Sequence, residues 1–127
     1  MKIVLDTNRY RDMAGGVAEV VATVEAAHTV YVSYVTLGEL RAGFRAGRRH
    51  DDNDKTLTRF LQRAGVVRLF ADDRTTHHYA ELYLQLRRQG TPIPDNDLWI
   101  AALVVQHGLT LYSRDRHFDH LPQIPRV

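Results

Sequence analysis

Four short runs of aliphatic and β-branched residues punctuate the chain: KIVL at 2–5, TVYVS at 29–33, VVRLF at 66–70 and LTLYS at 109–113. Between them the apolar period changes. Val17, Val20, Val21 and Val24 stand at i, i+3, i+4 and i+7, as do Leu57, Phe60, Leu61 and Ala64, and Tyr79, Leu82, Tyr83 and Leu86. That is the spacing of one face of a helix. Strands separated by helical segments of this length are joined by crossovers, which make neighbouring strands parallel. The runs are continuously apolar, as suits a sheet covered on both faces. The expected fold class is α/β: a central, mainly parallel sheet flanked by helices, three layers in all.

Turn residues mark breaks at AGG (14–16), GRRHDDND (47–54), FADD (70–73) and QGTPIPDN (89–96). None is long enough for an interdomain linker, and GRRHDDND reads as a solvated loop between two helices. A chain of 127 residues with 44% apolar content is expected to form one domain over 1–127 and to bury about two thirds of its unfolded surface. The absence of cysteine excludes disulfides and thiolate chemistry, so a metal would have to use oxygen or imidazole ligands. Hard cations are favoured. MKIVLDTN enters a strand pattern directly, without a leader pattern, and no apolar run is long enough to span a bilayer. A cytoplasmic protein without membrane contact is expected. The formal charge of +2, with fifteen arginines among seventeen basic residues, allows a polyanionic partner without demanding one.

Against this map four acids take related positions. Asp6 ends the first strand, Glu39 lies early in the helix after the second, Asp97 opens the apolar helix of IPDNDLWIAAL, and Asp115 follows the fourth strand. In an open parallel sheet the carboxyl ends of the strands and the helix starts that follow share one edge, where ligands bind. Four distant acids are thereby expected in one pocket. Like charges about 4 Å apart repel by roughly 4 kcal/mol at an effective dielectric of about 20, so either some are protonated or a cation sits among them. Mg²⁺ or Mn²⁺ suits oxygen-only ligands, and an acidic site of that kind suits phosphodiester hydrolysis. Each acid also has a plainer role open to it. Asp6 fits a helix N-cap, Glu39 a capping box with Thr36, Asp97 the favourable charge at a helix start, and Asp115 a turn. The joint pattern is more specific than any member.

The segments IVLDTN, VSYVTLGELRAG, GTPIPDNDLWIAALVVQHG and LTLYSRDRHFDHLP resemble, in order and spacing, those of PIN-domain ribonucleases, and most closely the VapC-type toxins of bacterial toxin–antitoxin pairs. The resemblance covers nearly the whole chain. It implies a PIN-like fold with Asp6, Glu39, Asp97 and Asp115 as the acidic quartet, Asp6 and Asp97 binding Mg²⁺ (or Mn²⁺) directly. It further implies that Asn8 and Ser113 orient the metal shell, Ser113 replacing the commoner threonine with the hydroxyl kept. The implied activity is metal-dependent endoribonucleolytic cleavage of single-stranded RNA regions. A cognate VapB-type antitoxin covering the pocket and a homodimer are implied as well.

Arg41, Arg45, Arg48 and Arg49 recur at i, i+4, i+7 and i+8 and are expected to share a helical stripe that meets RNA phosphates or antitoxin, or simply solvent. Gly43, one turn past Glu39, leaves space for substrate or for helix packing. Tyr10 and Arg11 offer stacking and phosphate contact near Asp6, against a packing role. Trp99 and Phe118 read as core or contact residues. His117 with His120, and His77 with His78, lack the partner motif a zinc site needs. Two rivals differ in class. A phosphoaspartate enzyme needs a lysine near the acid, yet the chain has only Lys2 and Lys55. A catalytically degenerate PIN domain, binding an antitoxin on DNA, would be favoured by loss of Asp6 or Asp97, and both are present.

Overall fold

A computed structural model of residues 1–127 shows four strands, β1 (Lys2–Leu5), β2 (Thr29–Ser33), β3 (Val66–Leu69) and β4 (Thr110–Tyr112). They form one sheet in the order β3-β2-β1-β4, every pair parallel. The connections hold six helices: α1 (Thr7–Ala14), α2 (Ala18–Ala26), α3 (Tyr34–Ala46), α4 (His50–Leu61), α5 (Asp73–Gln89) and α6 (Asp95–His107). A 3₁₀ turn, Arg116–His120, follows β4.

Strand side chains alternate between the two faces, and each face has its own core. Val4 and Leu111 pack with Leu82 and Leu86 of α5, with Leu98 and Ile100 of α6, and with Phe118. Ile3, Leu5, Val30, Val32 and Tyr112 pack on the other side with Val20, Val24, Leu40, Leu57 and Phe60 from α2, α3 and α4. The three layers expected from the alternating periods are present. β3 departs from the expectation of strands covered on both faces, since Val67 and the following Phe70 are exposed. β3 is an edge strand of the sheet. The opposite edge is covered by the C-terminal tail, where Leu111 donates to the Pro125 carbonyl at 2.8 Å and Val127 donates to Leu111 at 3.0 Å.

Two boundaries differ from the sequence reading. Helix α4 starts at His50, inside the segment read as a loop. Its first turn contains Asp51 and Asp52 and no buried residue, so apolar periodicity could not reveal it, although acids suit a helix N-terminus. Helix α3 stops at Ala46, with Gly47 as its C-cap in extended conformation. Arg48 and Arg49 therefore leave the helix, and the stripe of four arginines is cut after Arg45.

The chain order makes β1 the turning point. The chain moves outward from β1 to β2 and β3, then returns to place β4 on the other side of β1. The crevice at the carboxyl ends of β1 and β4 is the switch point at which open α/β sheets bind ligands.

Candidate active site

Asp6 leaves β1 at that crevice. Its backbone N–H donates to the Tyr112 carbonyl at 3.1 Å, tying the end of β1 to β4. Its side chain caps α1 by accepting from the Thr7 N–H at 2.8 Å, so the capping role is real. It also accepts from the Ser113 hydroxyl at 2.6 Å and from Asn8 Nδ2 at 3.4 Å. Asp6 is 4% exposed. Burial pushes its pKa up, hydrogen bonds from Ser113 and Thr7 pull it back, and the charges of Glu39 and Asp115 add to the rise.

Glu39 arrives from α3. The capping box with Thr36 does not form, because Ser33 is the N-cap and its hydroxyl accepts from the Thr36 N–H at 3.2 Å. Glu39 is thus free of helix capping. It accepts from Thr7 Oγ1 at 2.7 Å and from Asn96 Nδ2 at 3.4 Å. Asp97 lies in the first turn of α6, a helix whose Ile100–Val104 stretch is wholly buried and therefore fixes its start against the sheet. Burial raises the pKa of Asp97, the His117 hydrogen bond lowers it, and the charges of Asp115 and Asp6 raise it further.

Asp115 caps the 3₁₀ turn, accepting from the His117 N–H at 2.9 Å. His117 Nδ1 lies 2.7 Å from Asp97 Oδ2 and 3.0 Å from Asp115 Oδ1. The hydrogen bond to Asp97 raises the imidazole pKa, burial opposes it, and the charge of Asp115 adds to the rise. Asp97, Asp115 and His117 offer ligand atoms within 4.8 Å of one another. Neither His120 nor the pair His77 and His78 joins a group of this kind. His117 matters here as the partner of two carboxylates, which no sequence spacing could show.

Asn8 and Ser113 both contact the Asp6 carboxylate. Asn8 Nδ2 donates to Ser113 Oγ at 3.2 Å, and Asn8 Oδ1 accepts from the Arg114 N–H at 3.2 Å. Ser113 Oγ also accepts from the Asp115 N–H at 3.1 Å. One hydroxyl therefore ties Asp6, Asn8 and Asp115 together. Arg126 holds the same segment. Its Nη2 donates to the carbonyls of Ser113 at 2.7 Å and Asp115 at 3.0 Å, while Nη1 pairs with Asp119 at 2.7 Å. The sequence offered no signal for it, since Arg126 lies beyond every motif.

The four carboxylates, with Thr7, Asn8, Arg11 and Arg114, line a cavity of about 390 Å³ that no hydrophobic side chain enters. No lysine reaches it, which removes the phosphoaspartate rival. The donor set tests well for a hard divalent cation. It supplies several carboxylate oxygens, one of them buried, whose mutual repulsion a cation would relieve. Other candidates sit elsewhere. Tyr10 is 3% exposed and packs edge-on against Phe60 with ring centroids 5.7 Å apart, so it is core and cannot stack a base. Phe118 is fully buried, and half-buried Trp99 stacks on Tyr79 at 4.1 Å. Arg41 pairs with Asp54 at 3.2 Å and Arg49 with Asp52 at 3.5 Å, whereas Arg45 and Arg48 have no ion-pair partner.

Comparison with known proteins agrees with this architecture. Residues 3–124 match the family described as PIN domain. The chain is 31% identical over 93 residues to Ribonuclease VapC4 of Mycobacterium tuberculosis, covering 73% of this chain and 72% of that protein. It is 33% identical over 121 residues to VapC ribonuclease Y4jK of Sinorhizobium fredii, covering 89% and 86%. Among solved structures it superposes on the VapBC complex of Salmonella typhimurium bound to DNA with a TM-score of 0.86 and 26% identity, covering 100% of this chain and 97% of that one. VapBC2 of Rickettsia felis, bound to a promoter DNA fragment, gives a TM-score of 0.89 at 24% identity, over 100% and 98%. With a matching profile over nearly its full length and relatives above 30% identity, the chain belongs to the PIN-domain family, in its VapC branch.

Proposed function

We propose that the acidic pocket is the active site of a VapC ribonuclease, the toxin of a toxin–antitoxin pair, which hydrolyses phosphodiester bonds in single-stranded regions of RNA. The observation that carries this reading is the convergence of Asp6, Glu39, Asp97 and Asp115, from four separate elements, on one wholly polar cavity.

Asp6 and Asp97 are assigned as direct ligands of Mg²⁺ or Mn²⁺, with Glu39 and Asp115 completing the negative field and orienting water. Bound there, the metal would supply the Lewis acidity that makes water a competent nucleophile and offsets the charge of the phosphate. The protein's own part is to hold these oxygens in place beforehand. Ser113 and Thr7 fix Asp6, Thr7 and Asn96 fix Glu39, and His117 spans Asp97 and Asp115. His117 bridges that pair, so a cation bound there is expected to compete with it for the same carboxylate oxygens.

The partner is assigned as a VapB-type antitoxin, by analogy with the VapBC complexes of the relatives, and the toxin as a homodimer. Arg45 and Arg48, unpaired within the chain, are the stronger members of the arginine set for contact with RNA or antitoxin.

Purified protein freed of antitoxin is expected to cut RNA only when Mg²⁺ or Mn²⁺ is present, and Asp97→Asn to abolish cutting while leaving the circular dichroism spectrum unchanged. Mapping new 5′ ends in RNA from cells expressing wild type and Asp97→Asn identifies the sites. Cleavage that persists in Asp97→Asn or in excess chelator would exclude the metal-dependent mechanism.

A further inference from the structure

The active-site cavity carries two guanidinium groups, and they differ in what holds them. Arg114 is already spoken for: its Nε lies 3.1 Å and its Nη2 3.4 Å from the Asp12 carboxylate, which Arg9 also approaches at 3.3 Å. Arg11, on α1, lines the same cavity. Yet it has no carboxylate within ion-pair distance and no side-chain hydrogen bond. It is exposed. Its Nη2 lies 3.0 Å from the point where a Cβ on Gly43 would stand, the one approach within 4 Å from outside α3's own backbone. Gly43, near the end of α3, therefore lets the guanidinium lie close against that helix.

An RNA strand entering a pocket of four acids needs positive charge at the rim, and a guanidinium with its donors unengaged suits two oxygens of one phosphate. We propose that Arg11 is a substrate-binding residue that takes a backbone phosphate of the RNA at the edge of the acidic pocket, with Gly43 providing its seat. The proposal rests on the ribonuclease reading above. It assigns to α1 a phosphate contact at the cavity itself, which Arg11 lines and which none of Arg41, Arg45, Arg48 and Arg49 reaches.

Two readouts separate a phosphate contact from a role in shaping the acids. Arg11→Gln is expected to lower kcat/KM for a single-stranded RNA spanning a site that wild type cuts by about ten- to a hundredfold, the range for losing a hydrogen bond to a charged group. Arg11→Lys keeps the point charge but not the fork and should recover part of the loss. Mn²⁺ affinity, measured by isothermal titration without RNA, should stay equal or tighten in Arg11→Gln, because a positive charge has left the cation's surroundings. Gly43→Leu, at an exposed position whose Cβ would stand 3.0 Å from Arg11 Nη2, should displace the guanidinium and reproduce the cleavage defect with the melting temperature preserved.

The location of the contact is tested with substrates carrying one neutral methylphosphonate at successive positions. At one position the wild type should lose activity while Arg11→Gln loses nothing further. Losses that multiply at every position overturn the phosphate contact, as does weaker Mn²⁺ binding in Arg11→Gln, which would mean that Arg11 acts by shaping the acid cluster. A wild type that cuts no RNA with Mn²⁺ overturns the ribonuclease reading together with this contact. Normal wild-type cleavage with losses that multiply at every position overturns the contact alone.

Discussion

Asp97 illustrates how a single side chain is shared between stability and function. Its pKa is raised from 3.8, chiefly by burial and then by the charges of Asp115 and Asp6, with His117 as the opposing influence. A carboxyl raised in the fold costs stability once it ionises, and the cost vanishes as pH falls below its unfolded value. His117 is raised from 6.5, so its contribution is present below that value and is lost as pH rises through its folded pKa. The two effects have the same sign. In metal-free buffer Asp97→Asn is expected to melt a few degrees above wild type at pH well above the histidine range, the shift that about 1 kcal/mol gives a chain of this size. The difference should shrink as pH falls through the His117 titration and again towards 4. Scanning calorimetry across that range checks it, and a variant melting below wild type at high pH would show that the acids do not strain the fold. Of the residues involved, the acids were legible because strand ends and helix starts locate them. His117 was not, because its role depends on Nδ1 meeting two carboxylates from other elements.

At the level of elements, caps and tethers decide where the site residues fall. Ser33 stops β2 and starts α3, its hydroxyl taking the Thr36 N–H. The sequence allowed Thr36 to be that cap, which would have tied Glu39 to the helix start. Ser33→Ala should therefore cost about 1 kcal/mol in denaturant unfolding, with m unchanged. The segment after β4 depends on Arg126, whose Nη2 holds the Ser113 and Asp115 carbonyls. Arg126→Ala is expected to weaken Mn²⁺ binding and cleavage together, whereas Asp119→Asn, which removes only the outer ion pair, should leave both near wild type. Equal Mn²⁺ affinity in Arg126→Ala would show that Ser113 and Asp115 hold the segment unaided. Elements with a buried apolar face were legible from periodicity. The start of α4 was not, because its first turn is all polar, and neither was the tail over β4, whose role is made by backbone hydrogen bonds to Leu111.

Across the whole molecule, folding and cation binding are linked. A ligand that binds only the folded state adds stability that grows with its concentration relative to Kd, about 2.7 kcal/mol at a hundredfold excess over Kd. Mn²⁺ should accordingly raise the melting temperature of wild type in a concentration-dependent way, and Asp6→Asn and Asp97→Asn should both lose that response. A response retained by both variants would place the cation elsewhere. The same folded architecture puts the pocket at the crevice between β1 and β4, since β4 returns to the far side of β1.

The sequence by itself determined the parallel α/β architecture and the end of each element at which an acid would lie, because apolar period and turn chemistry act over a few residues. It also carried the family motifs. Only the tertiary structure decided which of several local roles each acid takes, which arginines are paired and which are free, and that His117 meets Asp97 and Asp115 while Arg126 holds the Ser113 and Asp115 carbonyls. Those outcomes depend on distances of about 3 Å between residues as far apart as Asp6 and Ser113, and such contacts leave no trace in local spacing.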